Sequence, residues 1–186
     1  MADNKQLPRV LQSQWLSHSR LFHVEEQHLQ FSNGETRIYE RLNPGKHSAV
    51  MIVAMLDSDT VLLAREYGAG IARYYLSLPK GAMDAGETAI ETANRELMEE
   101  AGYGANKLEV IKQFALSPSY MGNQVILVLA QDLYEKRLPG DEPEEIEIIP
   151  YKMADIDTLI AGDEFTEAYA VAALLMIRER QRNGQL

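Results

Sequence analysis

Cysteine is absent from these 186 residues, which excludes disulfide frameworks, thiolate metal sites and cysteine nucleophiles. Basic residues are scarce: 18 Lys and Arg stand against 28 Asp and Glu, a formal net charge of −10. That balance argues against nucleic acid or an anionic membrane surface as a partner. It also makes a polyanionic substrate hard to hold unless a metal cation inverts the local field. Long apolar runs are missing too. The longest, 49–56 and 168–177, fall far short of a bilayer span and the first residues are polar, so neither a membrane segment nor a signal peptide is expected. The chain reads as soluble and cytoplasmic. Histidine occurs four times, at His18, His23 and His28 in a polar N-terminal stretch and at His47 in a loop. None has HExxH spacing, so all four read as surface or interface residues. With no repeat or low-complexity segment and 46% hydrophobic content, one ordinary core with a small appended element is expected.

What the chain does have is concentrated between Gly81 and Tyr103, GAMDAGETAIETANRELMEEAGY. Thr88 followed by Glu91 is a capping-box pair, so a helix is predicted to begin after Thr88 and to run to Gly102, which suits a left-handed C-terminal cap. Helical geometry then places Glu96, Glu99 and Glu100 three and four apart on adjacent ridges, with Ala89, Ala93 and Leu97 on a packing stripe. Like charges at that spacing repel by a few tenths of a kcal/mol per pair, so something should offset them. Arg95 can reach Glu91, Glu99 or Glu87 and orient a carboxylate. A divalent cation such as Mg²⁺, which takes oxygen ligands and bridges carboxylates to substrate phosphates, is the other candidate, with Glu96 and Glu100 best placed. A solvated acidic helix face would not need Gly81, Gly86 and Gly102 where they stand.

Five residues separate Gly81 from Glu87, seven separate Glu87 from Arg95, and Arg-Glu-Leu-x-Glu-Glu-x-Gly follows. This pattern resembles the signature of the Nudix hydrolases. The resemblance implies an α/β/α sandwich with a mixed central sheet, and metal-assisted pyrophosphate hydrolysis with Mg²⁺ or Mn²⁺. It implies Glu96, Glu99, Glu100 and the backbone carbonyl of Lys80 as metal ligands, with Glu87 and Arg95 orienting them.

Strand patterns extend through the rest of the chain. A β-hairpin is predicted over 21–42 with Asn33-Gly34 as its turn, and Asn43-Pro44-Gly45 punctuates the chain after it. Buried strands are predicted at 49–56 and 61–64, joined by a turn at Asp57 to Asp59, with further strands near 74–78, 108–116, 124–133 and 146–151. A short helix is expected over 154–161. A last helix is expected after Phe165, capped by Thr166 and ending near Arg182, with Ala168, Val171, Ala172, Leu175 and Met176 inward. Residues 1–45 form the N-terminal β element in this reading and 46–186 the catalytic domain. A lone hairpin buries too little to stand by itself, so a homodimer is expected to cover it. The stretch SRLFHVEEQHLQFSNGETRIYERL resembles the N-terminal region of the ADP-ribose pyrophosphatase branch, in which that region packs on the partner subunit.

The same resemblance points to ADP-linked substrates: ADP-ribose, diadenosine triphosphate and NADH. Pro118 and Tyr120 fall where the branch determines substrate, and Tyr120 could stack on adenine or simply pack on the core. The acidic run Gly140 to Glu145 resembles the loop that carries the branch's catalytic carboxylate. Glu142 and Glu144 are the candidates, with Glu144 preferred for lying nearer the next strand; a plain solvated turn is the alternative. Arg65 is a candidate for diphosphate binding, or else a surface ion pair. Two departures from the branch, Gly68 after Tyr67 and Tyr75, point to a different substrate grip. Other nucleoside diphosphate derivatives such as nucleotide sugars, and a non-catalytic ADP-ribose sensor, are the competing readings.

Overall fold

Tight turns and alternating burial set the chain into ten strands and three helices among the residues described, 5–42 and 48–186, of a computed structural model. The Asn43-Pro44-Gly45 punctuation and His47 lie outside them. Backbone contacts divide the chain into two units. One holds the described residues of Met1–His47 together with Ala115–Gln124; the other holds Ser48–Phe114 and Val125–Leu186.

The first unit is an antiparallel sheet in the order β1 (Arg9–His18), β2 (His23–Gln30), β3 (Thr36–Leu42). The expected hairpin is present as β2 and β3, closed by a turn in which Gly34, at φ 87°, donates to the Phe31 carbonyl. Strand β1 was not legible in the sequence. Register shifts at Val10/Gln12 and Trp15/Ser17 break its alternation, so the period of two that marks a strand is lost. The turn at 117–121 joins this unit through Leu42, whose N–H donates to the Tyr120 carbonyl at 2.7 Å.

The second unit carries two sheets. One, antiparallel, runs β10 (Glu147–Lys152), β5 (Thr60–Gly68), β6 (Arg73–Ser77); the other is mixed and runs β7 (Lys80–Ala82), β4 (Ala49–Ala54), β9 (Gln124–Glu135), β8 (Tyr103–Ala115). Strands β4 and β5 are joined by the expected turn, where the Asp59 N–H donates to Asp57 Oδ1, yet they belong to different sheets. Strand β4 lies parallel to β9 and antiparallel to β7. Val50, Ile52 and Ala54 of β4 form a core with Ala93 and Leu97. Met51 and Val53, fully buried, alternate to the other face of the same strand, and both α1 (Ala89–Glu96) and α3 (Ala168–Arg182) pack on β4.

The Thr88–Glu91 capping box is formed. The helix that follows is not regular to its end: residues Leu97–Ala101 make a π-helical turn, and Gly102 closes it at φ 75°. Such turns recur at functional sites. The short helix is a 3₁₀ turn, Met153–Asp155, leading into α2 (Ile156–Ala161). Two expectations for α3 need correction. Its N-cap residue is Glu167 rather than Thr166, and the fully buried positions are Ala170, Ala173, Leu174 and Ile177 rather than the stripe through Ala168. The first ten residues of α3 are nearly all apolar, so the sequence carries no periodic contrast from which to read the phase.

Candidate active site

Strand β7 and the π turn of the α1 helix build the site. Glu100 lies inside that turn with only 7% of its surface exposed and accepts the Lys80 N–H at 3.0 Å. Burial pushes its carboxyl up to about 8, opposed by the Lys80 amide and ammonium and reinforced by Glu96 and Glu142. Burial also raises Glu96. Gly81 is required beside it: a Cβ there would stand 2.0 Å from the Glu96 carboxyl carbon.

Arg95 answers the repulsion among these carboxylates. Its Nε and Nη2 donate to the two oxygens of Glu87 at 2.9 and 3.0 Å, and its Nη1 donates to Glu96 and Glu99, each at 2.8 Å. Of the sequence alternatives, Glu87 and Glu99 are its partners; Glu91 is held in the capping box, and Glu96 is an addition. The fork holds Glu87 down at about 2 and raises the arginine further. Thr92 and the Asp84 N–H also donate to Glu87, so the whole array is fixed from behind.

Glu96, Glu99 and Glu100 open on a cavity of about 400 Å³ whose opposite wall is the loop from Arg137 to Ile146, including Asp141, Glu142 and Glu144. Seven carboxylates face one guanidinium, that of Arg137, among its lining residues. The loop is tied to the helix end by the Leu138 N–H, which donates to Met98 O at 3.1 Å, and by the Lys136 N–H, which donates to Gly102 O at 3.0 Å. The Tyr74 hydroxyl of β6 donates to Glu144 Oε1 at 2.5 Å.

Not every candidate is brought here. Arg65 does not line the cavity; its guanidinium is taken by Glu147 at 2.9 Å and Glu164 at 3.1 Å. Lys80 directs its ammonium neither to this cavity's lining nor to open solvent. It pairs with Glu66, lies 3.9 Å from Glu167 and sits over the Tyr75 ring. Pro118 and Tyr120 belong to the other unit, where Tyr120 is half exposed in the 117–121 turn. Sequence reasoning missed Tyr74 and Arg137. The strand around Tyr74 was legible, but nothing local marks its long-range bond to Glu144, and Arg137 lies just outside the acidic run.

The donor set tests the expected metal. Every side-chain donor at the cavity is a carboxylate oxygen, the preference of hard divalent cations, and a buried carboxyl lifted to about 8 beside two more acids is short of positive charge. Among the described residues no three acidic or imidazole side chains already converge in coordinating geometry. Arg95 holds Glu96 and Glu99, which accounts for that. The residues fit a hard divalent cation that would draw them together.

Residues 45–174 match the NUDIX domain. The chain belongs to the Nudix family. Residues 8–41 match the NudE-type Nudix hydrolase N-terminal domain. Over 179 residues the chain is 44% identical to ADP compounds hydrolase NudE of Escherichia coli (strain K12), covering 96% of both proteins. It is 30% identical to an ADP-ribose pyrophosphatase of Bacillus subtilis (strain 168), covering 73% of this chain and 75% of that one. A crystal structure of an ADP compounds hydrolase superposes with a TM-score of 0.91 at 41% identity, covering both chains completely. The α/β Nudix fold and hydrolase class expected from the sequence are therefore established, and with them the family's use of divalent metal ions. No described helix is long and apolar enough to cross a membrane.

Proposed function

We propose that this Nudix hydrolase cleaves the pyrophosphate bond of ADP-linked compounds, with ADP-ribose, diadenosine triphosphate and NADH as substrates and Mg²⁺ as the metal. The observation that carries this reading is the cavity itself: Glu96, Glu99 and buried Glu100 on one wall and an acidic loop on the other. The names of the two relatives support the ADP-linked substrate class.

Glu96, Glu99, Glu100 and the Lys80 carbonyl would hold the cation. When bound, it supplies charge neutralisation at the diphosphate and a lowered pKa for coordinated water. The chain's own groups do the rest. Arg95, anchored on Glu87, fixes Glu96 and Glu99 directly, so that little reorganisation remains when substrate arrives. Glu144, or Glu142 beside it, takes the proton of the attacking water. Arg137 offers its guanidinium fork to a phosphate oxygen. With ADP-ribose the products are AMP and ribose 5-phosphate. Arg65, Pro118 and Tyr120 remain our candidates for substrate contacts, with Arg65 first needing release from Glu147 and Glu164.

We assign residues 1–45 to a dimerisation element and 46–186 to catalysis. The exposed Val10, Leu11, Trp15, Leu16, Phe22 and Ile38 of the N-terminal sheet suit a surface covered by a second copy. A chain without cysteine suits the cytoplasm, where we place it.

Incubation with Mg²⁺ and a panel of ADP-ribose, diadenosine triphosphate, NADH and a nucleotide sugar, read by chromatography of released nucleotide, is the test. AMP from the first three is the expected outcome. Binding of ADP-ribose without cleavage, even with Mn²⁺, would replace this reading with a sensor, and release from the nucleotide sugar alone would move the substrate class. Glu100→Gln is expected to abolish metal-dependent turnover with the far-UV spectrum unchanged; near-normal activity would sink the metal assignment.

A further inference from the structure

The turn end of the β1–β2 hairpin carries a feature that the hydrolase site leaves unused. His18 and His23 face each other as a cross-strand pair, with their Nδ1 atoms 3.2 Å apart and their ring centroids separated by 4.8 Å. Trp15 completes the cluster at 5.0 Å from His18 and 6.1 Å from His23, centroid to centroid. In a regular strand residues three apart point to opposite faces. The register shift between Trp15 and Ser17 brings Trp15 and His18 to the same side. The turn that follows is braced: the Ser19 N–H donates to the Phe22 carbonyl, and the Phe22 N–H donates to Ser19 Oγ, each at 2.8 Å. The backbone that presents the two imidazoles is thus braced on both sides of the turn.

Two imidazole nitrogens bound to one tetrahedral cation at about 2.0–2.1 Å stand about 3.3 Å apart. The observed separation matches that bite. The geometry points to a two-histidine site for a borderline transition-metal cation, Zn²⁺ or Cu²⁺, with His18 Nδ1 and His23 Nδ1 as its protein ligands and water at the remaining positions. It is chemically orthogonal to the carboxylate cavity. Imidazole favours Zn²⁺ and Cu²⁺ over Mg²⁺, whereas the all-oxygen cavity suits hard cations, so excess Mg²⁺ occupies one and leaves the other open. A cation there links the outermost strand β1 to β2. Because it binds only the paired strands, it stabilises the N-terminal sheet by mass action.

The test uses the full chain, stripped of metal and then kept in excess Mg²⁺. Zn²⁺ binding is counted by equilibrium dialysis. Cu²⁺ binding is followed by quenching of Trp15, the single tryptophan of the chain. Wild type is expected to bind one equivalent of Zn²⁺ that His18→Gln and His23→Gln each lose, with loss of the saturable Cu²⁺ quench in both. His28→Gln, on the same strand β2, is expected to keep both. Equal Zn²⁺ binding by wild type and the two variants, or a Cu²⁺ quench that survives them, would overturn the site and leave a pair of imidazoles in contact through their Nδ1 atoms. Far-UV spectra and Mg²⁺-dependent turnover confirm that each variant is folded, and loss in either single variant is sufficient.

Discussion

Gly81 and Tyr74 show how differently two residues of one site register in a sequence. Gly81 is fixed by the spacing of the motif, and its physical reason is the missing Cβ beside the Glu96 carboxylate. Gly81→Ala is expected to leave the fold intact, since the obstructing atoms are the far end of a flexible side chain. It should displace Glu96 and weaken metal affinity roughly tenfold or more, read by Mg²⁺ titration of activity beside a thermal melt. Tyr74 stands far from the motif, and its hydroxyl matters only because the fold carries Glu144 to it. Tyr74→Phe is expected to lower kcat about three- to tenfold with KM little changed. Glu144→Gln, if Glu144 is the base, should cost about 100-fold or more; steady-state kinetics on both variants separates positioning from proton transfer. Glu87 makes a prediction about stability. Its carboxyl is held at about 2 against a usual 4.5, so its contribution is complete above pH 4.5 and is lost as the pH falls through 2. Thermal midpoints of wild type and Glu87→Gln should therefore differ at pH 6 and converge as the pH drops toward 2.

At the scale of elements, legibility followed contrast. The α1 helix was readable because a capping box, a glycine terminus and an acidic ridge opposite an alanine stripe are local signals. Its π turn was not, because the extra residue within the turn leaves no compositional mark, yet it lies where Glu100 is taken into the interior. The phase of α3 was hidden by apolar residues on every side, and β1 by its two register shifts. The strands of the core were legible as apolar runs, but their division between two sheets was not, since pairing is non-local. The carboxylates of the site were named in the sequence because they share one helix and one loop. An ion pair was one reading of Arg65, but its partners and those of the Lys80 ammonium were not legible, because Glu147, Glu164 and Glu167 reach them only through tertiary structure. The element-scale prediction concerns β3. Leu42→Pro removes the N–H that donates to the Tyr120 carbonyl, and amide exchange through 117–122 is expected to accelerate. Unchanged exchange there would mean that the turn is ordered without β3.

For the whole molecule, a net charge of −10 and a cavity walled by seven carboxylates repel a polyanion, so a cation is expected to bind before the substrate. The participation of 115–124 in the N-terminal unit has a consequence in time as well as in space. Leu42 bridges to Met121, 79 positions further along (121 − 42). At about 5–20 residues per second, a ribosome takes roughly 4 to 16 s to deliver the second after the first. The N-terminal sheet leaves the exit tunnel early and waits, with its apolar side chains bare, until most of the second unit has been made. A nascent chain stalled before residue 115 would carry that sheet without the turn it pairs with, which is the interval when a chaperone or another nascent copy would meet it.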